Sequence, residues 1–456
     1  MRDLTEGNEA RLIINFAVPM LIGNIFQQTY TLVDSIIVGQ GVGKEALAAV
    51  GASFPILFLL VSLVMGLTMG ASIILSQFFG AKDFVSLKKA LNTTYIFLIV
   101  TSIAATIVGL LLSGPILKAV KTPADVFPLA KEYLNIMFAG MVFLFAYNGI
   151  SAILRSLGDS KTPLYFLMIA TVINIILDLI FVLTFKWGVA GAAWATVIAQ
   201  GFSAVIGLIY FQRSRHAVLH IKLKDMRFDQ RIFAQILRIG LPSAAQQSLV
   251  SLGFIALTRI VNPFGTNVIA GYTAASRLDS FAAMPAMNLS MALSTFVGQN
   301  LGAGKPERVK KGYISALVMA SAISIAMTLI MVIFPRPLIS IFNSEEAVIK
   351  IGSEYLIIVS SFYILFTSMF ITGGVLRGAG DTMVQMIITL FALWIIRIPV
   401  SALLSAKIGT SGIWWGIPIA WFFGFASSFG YYLTGRWKTK AVVRGPLHAP
   451  VPADQE

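Results

Sequence analysis

Leu154–Pro163 reads LRSLGDSKTP, and Leu376–Met383 reads LRGAGDTM. Working outward from this pair, SQFFGAKD around Gln77–Asp83 returns as GQNLGAGK around Gln299–Lys305. GVAGAAW at Gly188–Trp194 returns as GTSGIWW at Gly409–Trp415, and AVPMLIG from Ala17 returns as GLPSAAQ from Gly240. The offset is 221 to 223 residues each time, in the same order. Four collinear matches at one spacing mark an internal repeat.

Composition says what was repeated. Of 456 residues, 57% are hydrophobic and 12% charged, and mean hydropathy is +0.84. A soluble domain carries about 25% charged residues, so a soluble globular or disordered chain is excluded. A membrane helix needs about 20 apolar residues. Twelve stretches qualify, at 12–38, 49–78, 90–117, 128–153, 163–184, 189–211, 233–261, 267–298, 312–334, 350–375, 383–405 and 411–434. The expected fold is all-α and integral to the membrane, with twelve transmembrane helices in two six-helix repeats. Six is even, so both repeats enter from the same side and are parallel, related by an axis along the membrane normal. The expected organisation is an N-terminal lobe over 1–212, a cytoplasmic linker over 213–232, a C-terminal lobe over 233–434 and a tail over 435–456. Two facing bundles suggest a transporter with a central cavity and alternating access.

Charge sets the orientation. The formal net charge is +14, which in a soluble protein would raise nucleic acid. Here the basic residues read as topology signals, and no nucleic-acid partner is expected. Of the 34 Lys and Arg, 23 fall on the side of the N-terminus, eight on the other side and three within helices. The expected location is the cytoplasmic membrane, multi-pass, with both termini in the cytoplasm. MRDLTEGNEARLIINF does not have the basic start and small-residue end of a cleaved signal. The sequence contains no cysteine, which excludes disulfides and thiol catalysis.

An ionisable side chain inside a membrane helix costs at least about 2.5–3.5 kcal/mol and needs a reason. Within the expected spans stand Asp34, Asp178, Arg259, Arg277, Asp279 and Arg397, with Glu132 and Glu354 nearer helix ends. In helix 1, Asn24, Gln27, Thr31 and Asp34 recur at three- and four-residue spacing, with Tyr30 one turn before Asp34. Such a stripe faces protein or a water-filled cavity. In helix 5, Asn174 is one turn before Asp178 and shares its face. Asn148 lies on helix 4 and Thr196 on helix 6. Asp34 and Asp178 are therefore expected to converge on one site. Two such carboxyls can take up and release one proton as a unit, or hold a hard monovalent cation with Asn and Thr oxygens. The bland alternative is that each acid satisfies a neighbouring helix.

In the second half, Arg277 and Asp279 are two residues apart and do not face each other. They read as a structural ion-pair network, with Arg259 or Arg397 as partner to Asp279. Arg155–Asp159 and Arg377–Asp381 read as clamps that cap helices 4 and 10. Pro19 and Pro242 occupy equivalent repeat positions and permit a kink in helices 1 and 7. The three histidines lie in a cytoplasmic loop and the tail. GxxxxGK[ST], HExxH and a nucleophile elbow are missing. The chain is not expected to be an enzyme or to need a cofactor, and its energy source is an ion or substrate gradient.

The residues now resemble a known family. The P-x-L spacing from Pro19 through Tyr30 to Asp34, SQFFGAKD, LRSLGDSKTP, N-x-x-x-D at Asn174–Asp178 and GVAGAAWAT at Gly188–Thr196 are similar to MATE transporters, the multidrug and toxic compound extrusion family. The resemblance runs from about residue 5 to 435. It implies export of organic cations and amphipathic drugs in exchange for protons or sodium. In the DinF-type branch it implies a proton or cation site at Asp34, Asn174, Asp178 and Thr196, which would also be the Na+ site. Tyr30, Gln27 and Asn148 become expected cavity residues, and Pro19 the proline linked to bending of helix 1 on protonation. The NorM-type branch uses acids on helices 7 and 10. Here helix 7 carries Arg259 and no acid, which favours the DinF-type pattern. The same superfamily includes lipid and lipid-linked oligosaccharide flippases, and Arg259, Arg277 and Arg397 keep that alternative open. The expected partners are small-molecule drugs and membrane lipids, with the chain working as a monomer.

Overall fold

The computed structural model describes residues 2–443 apart from 215, 221–223 and 225. Part of the expected linker and the tail from 444 lie outside the described residues. Twelve helical segments follow in order among the described residues, and eleven of them, each bent pair counted once, are long and apolar enough to cross a membrane. They are α1 (Glu9–Gly41), α2 (Lys44–Gly80), α3 (Phe84–Ala119), α4 (Phe127–Ala139 with Met141–Ser156), α5 (Lys161–Thr184) and α6 (Gly188–Arg213). The second set is α7 (Gln230–Val261), α8 (Thr266–Gly302), α9 (Pro306–Ile333), α10 (Glu346–Ser360 with Tyr363–Gly378), α11 (Thr382–Ile408) and α12 (Thr410–Leu433). A short helix, Pro335–Ser340, precedes α10. The longest helices, 37 residues, reach about 55 Å at 1.5 Å per residue, so they project beyond a hydrocarbon core about 30 Å thick. The expected spans marked the apolar centres and stopped short of these polar ends.

Two of the spans are sharply bent at a break. The halves of α4 meet at 50° and those of α10 at 51°. In α4 the break falls at Gly140, where a Cβ would stand 2.3 Å from Val197 Cγ2. Helix α6 therefore approaches the α4 backbone directly, as small residues allow in membranes. Helices α5 and α11 each contain a π turn, at Leu179–Thr184 and Phe391–Arg397. Such turns accompany functional sites in many proteins.

The repeated sequence motifs are turns. In LRSLGDS, Gly158 has φ +80°, its N–H donates to Arg155 O (3.0 Å), and Asp159 N–H donates to Leu154 O (2.9 Å). In LRGAGDT, Gly380 has φ +88° with the same two bonds, to Arg377 O (2.8 Å) and Leu376 O (2.9 Å). This is the Schellman helix end, which places glycine at the left-handed position. The backbone does the capping of α4 and α10 that sequence reading gave to Arg–Asp clamps. The side chains part company. Asp159 caps the next helix, accepting from Lys161 N and Thr162 N at 3.1 and 3.0 Å. Asp381 accepts from the Tyr431 hydroxyl at 2.5 Å, while Arg377 donates to Ser290 Oγ at 2.6 Å.

The chain forms two compact units. One contains Arg2 and Pro19–Ala244, the other Asp3–Val18 and the chain from Ala245 onward. Their boundaries differ from a cut at the linker: the first third of α1 belongs to the second unit, and the first half of α7 to the first. The chain changes unit at Pro19 and two residues after Pro242. In the first unit, Leu98, Leu134, Phe138 and Phe145 form a buried core with the middle of α2. In the second, Tyr355, Leu356, Trp414 and Ile417 centre the core. Residues Leu4–Glu9 are strapped to the second unit. Leu4 N–H donates to Gln299 Oε1 (2.9 Å), and Asn300 Nδ2 donates to Leu4 O (3.1 Å). Arg308 reaches Gly7 O (2.8 Å) and pairs with Glu9 (3.0 Å).

Candidate functional site

The polar stripe of α1 and the polar face of α5 meet inside the first unit. Asp178, at the last α-helical turn before the π segment of α5, is fully buried. Asn174, one turn earlier, is 1% exposed, and Thr196 of α6 is 6% exposed. The orientation of the Asn174 amide follows from its neighbours. Its Nδ2 donates to Asp178 Oδ2 at 3.2 Å, and its Oδ1 accepts from the Thr196 backbone N–H at 3.3 Å. The Asp34 carboxyl faces that of Asp178, and the Tyr30 hydroxyl faces Thr196.

One oxygen on each acid has no donor. Asp34 Oδ1 and Asp178 Oδ1 are buried and have no hydrogen-bond partner. Buried polar atoms are normally satisfied, and a buried carboxylate more so. Two facing carboxyls with unfilled oxygens are an arrangement that a proton shared between them, or a small cation, would satisfy. The Asn and Thr oxygens suit a hard cation, which takes oxygen ligands. The site thus brings together Asp34, Asn174, Asp178, Thr196 and Tyr30.

The other expected residues have the following surroundings. Asn148 is half-buried, and its Nδ2 donates to Leu144 O of its own helix at 2.9 Å. Gln27 is exposed one turn before Thr31, whose hydroxyl returns to the Gln27 carbonyl at 2.9 Å. Pro19 is buried at the point where α1 passes between units. Sequence reading missed Tyr133, a buried residue close enough to Asp34 and Asp178 for their charges to act on its hydroxyl. A signal for it exists: Glu132-Tyr133-Leu134 returns as Glu354-Tyr355-Leu356. Its partner in the repeat, Tyr355, donates to Asp279 Oδ2 at 3.4 Å in the second unit. Arg397 lies near Asp279 and places its guanidinium 5.7 Å from the Phe254 ring centre. Arg259 and Arg277 are exposed.

A family model, MatE, matches residues 19–180 and 242–403, which are the two repeats beginning at the equivalent prolines. The chain belongs to the MATE family. This MATE chain is 35% identical over 437 residues to "Probable multidrug resistance protein YpnP" of Bacillus subtilis, covering 96% of the chain and 97% of that protein. It is 32% identical to "Probable multidrug resistance protein YoeA" of the same organism, over 94% of each. Among solved structures it is similar to the outward-facing conformation of a multidrug resistance MATE family transporter of the MOP superfamily. There the TM-score is 0.89 and the identity 26%, over 96% of this chain and 98% of that one. Its twelve spans in two repeats are thus the architecture of a family of transporters.

Proposed function

We propose that this MATE transporter is a secondary active multidrug efflux antiporter of the cytoplasmic membrane. It exports organic cations or amphipathic drugs in exchange for protons or sodium, by alternating access. The observation that carries this reading is the facing pair Asp34–Asp178 with its two unfilled buried oxygens. With both acids ionised, the site is an anionic well that attracts a cationic drug. A proton or Na+ arriving there removes the net charge and favours drug release. Exchange follows because both positive species depend on the same two carboxylates.

The DinF-type pattern supports the assignment of the coupling site to the N-terminal lobe. Helix α7, Gln230–Val261, has no Asp or Glu on which a NorM-type site could be built. The excess of Lys and Arg on the N-terminal side supports cytoplasmic termini. The lobes on either side of the 213–232 linker are the moving bodies, with Pro19 as the flexible point of α1, and the chain acts as a monomer.

The test is efflux of a fluorescent organic cation from proteoliposomes, with pH and sodium gradients imposed separately. We expect one gradient to drive transport by wild type and Asp34→Asn to abolish the gradient-driven part. Full gradient-driven transport by Asp34→Asn would sink the coupling mechanism. Transport under neither gradient would favour the flippase reading, for which Arg397 speaks, since its Nε is buried without a hydrogen-bond partner.

A further inference from the structure

We propose that the groove at the start of α10 binds the headgroup of a zwitterionic aminophospholipid. It lies after nine membrane crossings, at the face opposite the N-terminus. The groove encloses about 320 Å³ between the short helix Pro335–Ser340 and the first turns of α10. That volume falls within the range of small-molecule sites, about 300–1,000 Å³.

Its lining sorts by chemistry. Arg336, Lys350, Ser353 and Glu354 line it together with Ile357 and Ile358. Ser353 is 7% exposed, and its Oγ has no hydrogen-bond partner. A buried hydroxyl left unpaired in a groove lined by two cations is open to an oxygen acceptor. Arg336 also holds Glu346 at 2.6 Å, but that pair is exposed and weak. Glu354 is fixed from the other side, because the Ser411 hydroxyl donates to its Oε1. A phosphodiester would take Arg336, Lys350 and Ser353, and a primary ammonium one bond chain away would take Glu354. The isoleucines continue the groove into the apolar zone. A diacyl tail satisfies them and a soluble phosphate does not, which selects the lipid as the source.

The repeat supplies an independent second instance. Glu132 lies 222 residues before Glu354, in the same E-Y-L triplet. It lines a groove of about 530 Å³ with Lys131, Asn135 and Trp194 at the start of α4, again on the face opposite the N-terminus. Asn135 Oδ1 is engaged by Ser113 at 2.7 Å. The acid and one isoleucine hold matching repeat positions in both grooves, Glu132 with Glu354 and Ile136 with Ile358, while the lysines do not: Lys131 matches Ser353 and Lys350 matches Pro128. Neither groove touches Asp34 or Asp178, so the inference goes beyond the antiporter reading.

Native mass spectrometry of the delipidated full-length protein tests it, with phosphatidylethanolamine, phosphatidylglycerol and tail-free phosphoethanolamine as probes. Wild type should bind phosphatidylethanolamine about tenfold more tightly than phosphatidylglycerol. Glu354→Gln together with Glu132→Gln should remove that preference and leave phosphatidylglycerol binding unchanged, while Glu354→Asp with Glu132→Asp should keep it. Lys350→Gln and Ser353→Ala should weaken both lipids at the second-lobe site. Equal binding of the two lipids by wild type would overturn the proposal, as would an undiminished preference in the double Gln variant. So would phosphoethanolamine binding as tightly as the lipid. Binding is read without a gradient, so failure here leaves the coupling test untouched.

Discussion

Asn174 joins the two sides of the first-lobe site through a single amide. One end serves the Asp178 carboxyl and the other the Thr196 backbone. Asn174→Leu keeps the size but removes the donor to the buried Asp178 Oδ2, at a cost of about 1–3 kcal/mol. We expect a lower melting temperature in detergent together with weaker gradient-driven transport. An unchanged melting curve would mean the amide is not bonded as described. At this scale the site was largely legible, because Asp34 and Asp178 are charges in apolar helices, and such residues declare themselves against their background. Tyr133 was not legible, since a tyrosine on an apolar stretch reads as core until a neighbour is known. The amide of Asn148, expected to face the cavity, donates to its own helix one turn back, at Leu144 O.

At the scale of elements, helix ends carry the repeat. Asp83 is the N-cap of α3, accepting from Ser86 N at 3.0 Å. Those hydrogen bonds from Ser86 hold its carboxyl below the ordinary aspartate range. A depressed carboxyl stabilises the fold fully above the unfolded value, about 3.9, and loses that contribution as pH falls through its lower folded value. Asp83→Ala should therefore cost about 0.5–2 kcal/mol at pH 7. The gap in melting temperature between variant and wild type should narrow below about pH 4, and a pH-independent gap would refute the cap as its origin. The residue before it, Lys82, adopts φ 57°, where the matching residue of the second repeat is Gly304 at φ 69°. The two turns share the backbone bonds of a helix end, Asp83 N to Phe78 O and Lys305 N to Asn300 O. Turn chemistry was readable from GAKD and GAGK as a recurring motif. The bends of α4 and α10 and the π turns of α5 and α11 were not, because a change of one residue per turn leaves the apolar pattern of a membrane helix intact.

For the molecule as a whole, the polar segment ahead of α1 is a structural part of the second unit. Leu4 is 1% exposed, and four side chains of that unit hold the strap from Leu4 to Glu9. Arg308→Ala removes the pair with Glu9 and the bond to Gly7 O. The first residues should then become accessible to limited proteolysis several-fold faster, with the remaining spans still protected. An unaltered cleavage rate would show that the strap is held without Arg308. The amino-acid sequence by itself determined the membrane class, the twelve spans and the duplication. It also singled out the acids that need a partner. All of these follow from composition, period and spacing along the chain, which local rules govern. Only the tertiary structure decided that Asp34 and Asp178 face each other and that the arginine and aspartate of each repeated turn take different partners. It alone assigned Asp3–Val18 to a different unit from the rest of α1. Those outcomes depend on which helices lie side by side, and in a chain of uniformly apolar helices the hydrophobic pattern does not encode the choice of neighbour.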